Sequence, residues 1–170
     1  MVQTRELTMA AKTAKAIREE LKIKFPGTTF KVHSDNFSMG NSVDVYWTDG
    51  PTTKAVDEVI RKYQYGHFNG MIDMYEDTNV REDIPQAKFV FGKREISPEN
   101  ELKLRTVIAK KFGVTIEQTK EYCCDTRIDY QKKYYILECE TDLTTPFSVE
   151  DYMKAREDEY NSTHPVKESA

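Results

Sequence analysis

Hydrophobic positions recur at two different periods along this chain, and the alternation between them sketches a fold. Leu7, Ala11, Ala14, Ile17 and Leu21 fall three and four residues apart, with Lys, Arg and Glu between them. That spacing puts them on one face of an amphipathic helix from about Thr4 to Lys24, ended by Pro26-Gly27. The period then drops to two. Thr28 to His33 places Phe30 and Val32 on one side, and Ser42 to Thr48 sets Val43, Val45 and Trp47 against Asp44, Tyr46 and Thr48. The two runs predict an antiparallel pair. Their connection, Ser34 to Asn41, is rich in Ser, Asn and Gly and reads as longer than a tight hairpin.

Asp49-Gly50-Pro51-Thr52 closes the second strand and opens a helix: Gly frees the backbone, Pro presets the first turn, and Thr52 or Asp49 accepts orphan amides. Val56, Val59, Ile60 and Tyr63 make the buried stripe of that helix. An aromatic, glycine-bearing stretch follows from Tyr65 to Tyr75, with a turn signal at Asn69-Gly70. Glu76 to Pro85 reads as an exposed acidic loop. Ala87 to Ile96 returns to strand, with Phe89 and Phe91 on one face and Val90 on the other. Ser97-Pro98-Glu99 is a helix start, Leu104, Val107, Ile108 and Phe112 its core stripe, and Gly113 its stop. Beyond it, 114–125 is ambiguous between loop and short helix. Ile128 to Glu140 reads as a Tyr-rich strand, and Ser148 with Asp151 as the cap of a last helix to about Tyr160.

The predicted order is therefore α-β-β-α-β-α-β-α. Helices on one face of a small, mainly antiparallel sheet bury every stripe named, which gives an α+β fold. A chain of 170 residues fits one such domain over 1–160 with a polar tail at 161–170.

Composition changes this picture in three ways. Aromatics at 11% supply large buried areas, so a core is within reach although only 38% of residues are hydrophobic. The net charge of −4 conceals blocks of opposite sign: +3 over 1–30, −4 over 31–90, +3 over 91–120 and −6 over 121–170. Such alternation favours a protein partner with patches of either sign over simple coating of nucleic acid. Cys123 and Cys124 are adjacent and Cys139 stands apart, so neither a disulfide scaffold nor metal-ligand spacing emerges. The expectation is a reduced cytoplasmic protein, without membrane association, metal or cofactor.

Candidate chemistry is sparse. His67 is the best general base, and Asp49 or Asp73 has the chemistry to orient it, but no nucleophile context accompanies them. The competing reading makes His67 a structural or contact residue. Lys12, Lys15, Arg18 and Lys22 on the first helix, Lys103, Lys110 and Lys111 on the third, and Tyr130, Tyr134 and Tyr135 as stacking surfaces allow a nucleic-acid face. An acidic total opposes it. Acids at Asp73, Glu76, Asp77, Glu82 and Asp83, or from Glu150 to Glu159, allow local mimicry of nucleic acid instead. Aromatics set among mixed charges, Tyr65, Phe68, Tyr75, Tyr134 and Tyr135, suit a protein interface, with His67, Asp73, Glu76 and Asp77 beside them. Trp47, Asp49, Gly50 and Pro51 are expected to be structural.

The run Val45-Tyr46-Trp47-Thr48-Asp49-Gly50-Pro51-Thr52 resembles large polyvalent protein-associated domains of type 29. The resemblance continues through Gly66-His67-Phe68-Asn69-Gly70-Met71-Ile72-Asp73 and Lys88-Phe89-Val90-Phe91, and upstream through Phe25-Pro26-Gly27-Thr28 and Phe30-Lys31-Val32. It covers roughly residues 5 to 115 and leaves the last fifty residues unmatched. Domains of this kind occur in proteins of phages and conjugative elements, and the resemblance carries over no catalytic residue. It implies a mobile-element protein that counters a host defence, in the manner of an anti-CRISPR or anti-restriction protein. The partner implied is a host defence protein or nucleoprotein complex. A nucleic-acid-binding accessory protein and an enzyme using His67 are the alternatives.

Overall fold

The computed structural model describes residues 6–113, 115–117 and 141–144. They fall in two compact units, one ending at Glu95 and the other beginning at Ile96. The first unit opens with α1 (Met9–Lys24), capped by Thr8, whose Oγ1 accepts from the Ala11 N–H at 3.3 Å. Ala10, Thr13, Ala14, Ile17 and Leu21 form its buried stripe, and Lys22 and Lys24 sit in the last turn, where the helix dipole favours cations. Leu7, expected on that stripe, is 55% exposed. The helix starts at Met9 behind the Thr8 cap and not near Thr4, so Leu7 lies before its first turn.

Strands β1 (Lys31–Phe37) and β2 (Gly40–Thr48) pair antiparallel from Lys31↔Tyr46 to Phe37↔Gly40. The expected long loop over 34–41 is therefore corrected. Polar residues from Ser34 to Asn36 belong to the strand, and only Ser38 and Met39 form the turn. Those side chains lie beyond the reach of the core, so their polarity mimicked a loop. Asp49 and Gly50 both take left-handed backbone angles, φ 56° and 59°. Arg94 holds this corner by donating from Nε to the Asp49 carbonyl and from Nη2 to the Gly50 carbonyl, each at 2.9 Å. A Cβ on Gly50 would press on Thr28 Oγ1 at 2.8 Å, so close approach and backbone angle both select glycine. Thr52 then caps α2 (Thr53–Ile60), its Oγ1 accepting from the Ala55 N–H at 3.2 Å.

A single 3-10 turn (Arg61–Tyr63) leads to a hairpin of β3 (His67–Asn69) and β4 (Met74–Glu76). β5 (Phe89–Glu95) then returns to pair with β2 in parallel, giving a mixed sheet in the order β1-β2-β5. Two of the three ladders are antiparallel and the third is not, because α2 and the hairpin form the crossover that a parallel pair requires.

Alternation along the sheet sorts its faces. Val32, Val43, Val45, Trp47 and Val90 turn to the side covered by α1 and α2, where they join Ile17, Leu21, Val56, Val59, Ile60 and Tyr63 in one core. Trp47 is 3% exposed and donates from Nε1 to the Pro51 carbonyl at 3.0 Å, so the indole is both packed and satisfied. The Glu20 carboxylate ties the two helices together, accepting from Lys62 Nζ at 2.7 Å and Tyr63 Oη at 2.6 Å. Residues 77–86 form no strand or helix, yet side-chain amides pin them and the strand that follows. Gln86 donates to the Lys62 and Asn79 carbonyls, Asn79 donates to the Gln64 carbonyl, and Gln64 spans the Gly66 carbonyl and the Val90 N–H.

In the second unit, α3 (Pro98–Phe112) starts at a Ser97 cap with Pro98 in its first turn and ends at Gly113, φ 63°. Leu104, Val107 and Ala109 are buried, as is Arg105, which pairs with Glu101 one turn back at 2.6 Å. The side chains of Ile108 and Phe112 lie outside the described ones. So do the strand expected over 128–140, the helix expected over 148–160 and the tail. Of segment 114–125, residues 115–117 alone are described. Among the described residues no helix is long and apolar enough to cross a membrane.

Candidate functional site

The sheet's other face is not covered by any helix of its own unit, and alternation places an unusual set of side chains there. β1 contributes Lys31, His33, Asp35 and Phe37; β2 contributes Asp44, Tyr46 and Thr48; β5 contributes Phe89, Phe91, Lys93 and Glu95. Phe37, Phe89 and Phe91 form a stack of three rings. Centroids of Phe37 and Phe89 are 6.4 Å apart with planes at 20°, and those of Phe89 and Phe91 are 6.0 Å apart at 8°. Phe37 is 43% and Phe91 47% exposed, so the stack presents both of its ends to solvent.

The β3–β4 hairpin extends this surface. Its register sets Phe68 opposite Tyr75, and directly paired residues share a face. Tyr75 meets Phe89 edge-on at 5.4 Å and Tyr65 at 5.8 Å, while its hydroxyl donates to the Lys88 carbonyl. Burial pushes the Tyr75 phenol up to about 12, helped by Tyr65 and Asp77, and burial followed by Asp77 raises Tyr65 as well. Phe68 is 58% exposed, and Met71, Ile72 and Met74 at the hairpin tip are exposed too. Gly66 makes the docking possible: a Cβ there would run into the Glu76 carbonyl and come within 2.6 Å of the Tyr75 ring.

Cations lie over these rings. Lys88 Nζ sits 4.8 Å from the Tyr75 centroid and 5.6 Å from that of Phe89, and Lys93 Nζ sits 5.0 Å from that of Tyr46. Lys93 is also paired with Asp44 at 2.7 Å, which holds its ammonium above the usual lysine range. The result is an apolar, aromatic strip with both signs of charge around it: Lys31, Lys88 and Lys93 against Asp35, Asp44 and Glu95. Aromatic rings at the centre and charges at the rim are enriched in protein interfaces in general.

A separate groove of about 490 Å³ runs beside β5, lined by Asp57, Ile60, Arg61, Gln64, Gly66, His67, Asn79, Val90, Phe91 and Gly92. Burial raises the Asp57 carboxyl above its ordinary value, partly opposed by Arg61. His67 faces Thr78 at 3.1 Å through Nδ1 and Glu76 at 3.7 Å through Nε2. Those contacts are neither of the aspartates expected to orient a base: Asp49 sits at the corner held by Arg94, and Asp73 in the exposed turn of the hairpin. Among the described residues no three His, Cys, Asp or Glu side chains gather to hold a metal ion.

Of the residues singled out from sequence, Tyr65, Phe68 and Tyr75 join the aromatic strip, and His67 and Glu76 meet on the opposite face of the same hairpin. Asp73 and Asp77 are exposed beside it. Tyr134 and Tyr135 lie outside the described residues, as do Tyr130 and the three cysteines. The basic stripe of α1 is partly committed elsewhere. Arg18 donates to the Val32 carbonyl at 2.9 Å, and Lys12 pairs with Glu6 at 3.1 Å. Sequence reasoning missed Phe37, Phe89, Phe91, Lys88, Lys93 and Asp57 as surface candidates. The signal was present in part, since Phe89 and Phe91 had been placed together and opposite Val90; what was lacking was the pairing of that strand with 42–48.

The family model described as large polyvalent protein associated domain 29 matches residues 8–103, more than half of the chain. The match runs from the α1 cap through the whole three-stranded sheet and the hairpin, and ends within α3. No curated protein and no solved structure matches the chain. The chain thus belongs to the large polyvalent protein associated domain 29 family and is a phage- or mobile-element-associated protein.

Proposed function

We propose that this protein is a non-enzymatic binder with which a mobile element blocks a host defence system, and that the aromatic outer face of its sheet is the docking surface. The observation that carries the reading is the exposed three-ring stack of Phe37, Phe89 and Phe91, continued by Tyr75 and Phe68. Exposed apolar patches of this kind on small proteins mark contact sites, and aromatic anchors surrounded by mixed charge suit a protein partner better than a polyphosphate. Binding to nucleic acid draws on net positive potential, whereas Lys31 and Lys93 on this face and Lys88 beside it are offset by Asp35, Asp44 and Glu95. An inhibitor of the anti-CRISPR or anti-restriction kind needs nothing more than such a surface, because occupying a nuclease or its assembly site is enough to silence it.

The test is phage plating on hosts that carry single, defined CRISPR or restriction systems, with and without the protein. The reading predicts recovery of plating on at least one defended host, together with co-purification of a component of that system. Uniform failure to protect across the panel would sink it. Gel shifts at low salt that show tight, salt-sensitive binding to single-stranded nucleic acid would move the assignment to a nucleic-acid accessory protein instead.

A further inference from the structure

Among the described residues β5 pairs on one side only, with β2. Two bonds fix which of its backbone groups face outward. The Val90 N–H leaves the sheet to reach Gln64 Oε1 at 2.8 Å, and the Glu95 carbonyl turns inward to accept from the Asp49 N–H at 2.7 Å. Successive residues of a strand in a parallel ladder alternate between the two sides. Gly92 therefore turns its N–H and C=O the way Val90 does, out of the sheet and toward the groove that both residues line. Among the described residues nothing pairs with Gly92 on that side, and an open edge position is a template for another strand.

What stands over that edge is equally particular. Asp57 reaches from α2 to the place where a side chain of residue 92 would sit: a Cβ there would lie 3.0 Å from its Oδ1, 3.3 Å from Trp47 and 3.4 Å from Ile60. Glycine leaves that space to the carboxylate. Among the described residues the Asp57 carboxylate receives no hydrogen bond and forms no ion pair, although it is largely buried beside Trp47 and Ile60. Burial has lifted its proton affinity, the signature of a charge missing a donor. Arg61, Gly66, His67 and Asn79 also line the groove, and the Gln64 amide closes the edge at Val90.

We infer that an extended segment of a partner protein adds to β5 as a fourth strand at Gly92, with a basic side chain seated on Asp57. Strand addition supplies the donor and acceptor that Gly92 lacks, and pleating sets the side-chain pattern. The residue opposite Gly92 points inward to Asp57, and its two neighbours point outward beside Phe91. The segment recognised is thus apolar–basic–apolar. This rests on the protein-binding reading above, but it concerns the strand edge, whereas that reading concerns the sheet face.

The experiment is an amide-resolved NMR titration of the full chain with the peptide acetyl-Thr-Val-Arg-Val-Thr-amide. Saturable movement of the Gly92 amide is expected. Replacing the peptide Arg by Glu, or the protein's Asp57→Asn, weakens binding about tenfold, the worth of one charge-assisted hydrogen bond. Methylating the peptide nitrogens that pair with the edge abolishes it. Equal binding of the methylated peptide, or of acetyl-arginine-amide alone, would reduce the site to a side-chain pocket and overturn strand addition. No movement of Gly92 up to the solubility limit of the Arg peptide would overturn the site altogether. Phe37→Asp separates the two proposals. It lies on the far edge strand, so it leaves the titration unchanged while it removes protection in the plating assay.

Discussion

Replacing Trp47 tests the core of the first unit and, through it, the platform on which both surfaces stand. The indole is 3% exposed, packs against Phe30 with centroids 5.8 Å apart, and donates from Nε1 to the carbonyl of buried Pro51. Truncating a buried Trp to Ala costs about 3–5 kcal/mol from lost burial and the cavity left behind. Stranding the Pro51 carbonyl adds about 1–3 kcal/mol, so the total lies toward or above the top of that range. At a urea dependence of about 2 kcal/mol per molar, the Trp47→Ala midpoint falls by about 2–4 M, if the variant folds at all. Trp47→Phe keeps most of the ring volume but loses the donor, so its cost is about 1–3 kcal/mol. Far-UV circular dichroism follows both variants. In the wild type the fluorescence of this sole tryptophan shifts to the red as urea exposes it. An Ala variant whose midpoint equals that of wild type, or a Phe variant more damaging than Ala, would refute the placement of this residue.

Three further outcomes follow from single interactions. Gly66→Ala forces a methyl against the Glu76 carbonyl and the Tyr75 ring, so the hairpin must leave its seat on Phe89; loss of the Tyr65 and Tyr75 ring-current shifts in NMR reports it, and unchanged shifts would contradict it. Asp57 holds its proton more tightly folded than unfolded, so its contribution to stability is fully present below its unfolded value of 3.8 and declines as pH rises through the folded one. Asp57→Asn therefore melts higher than wild type at neutral pH, and the gap closes in acid; a lower melting temperature at neutral pH would count against it. Glu20 is shifted the other way: burial alone would raise it, but the hydrogen bonds from Lys62 and Tyr63 outweigh burial and lower it. Its stabilisation is present above the unfolded value of 4.5 and lost as pH falls through the folded one, so Glu20→Gln is destabilising at neutral pH and indistinguishable from wild type in strong acid.

Much of this architecture was legible because local signals and tertiary demands coincide. Thr52 and Ser97 cap helices where a hydroxyl precedes an apolar stripe, Gly113 stops α3, and Val43, Val45 and Trp47 share the buried face their alternation announces. One error comes from polar residues in regular structure. Ser34, Asp35 and Asn36 are strand residues whose side chains escape the core, so composition argued for a loop that register denies. The hairpin of β3 and β4 is too short, three residues a side, to show a period. The aromatic face was hidden for a different reason. Phe37, Tyr75 and Phe89 come from three separate segments, and only pairing of β5 beside β2 brings them into contact. Asp57 looked like one more solvated acid on a helix, since nothing local reveals that Gly92 leaves room for its carboxylate.

The most direct test of the central claim is one measurement on one variant, Phe37→Asp/Phe91→Asp, in a defended host that the wild-type protein opens to phage. Both rings are nearly half exposed, so their loss lowers stability by only about 1–2 kcal/mol and the variant remains folded at growth temperature. With the variant expressed at wild-type level and a cooperative melt confirmed, the account predicts that plating falls back to the level of the unprotected host. Full protection by the folded variant would contradict it, and would place the working surface somewhere other than the aromatic face of the sheet.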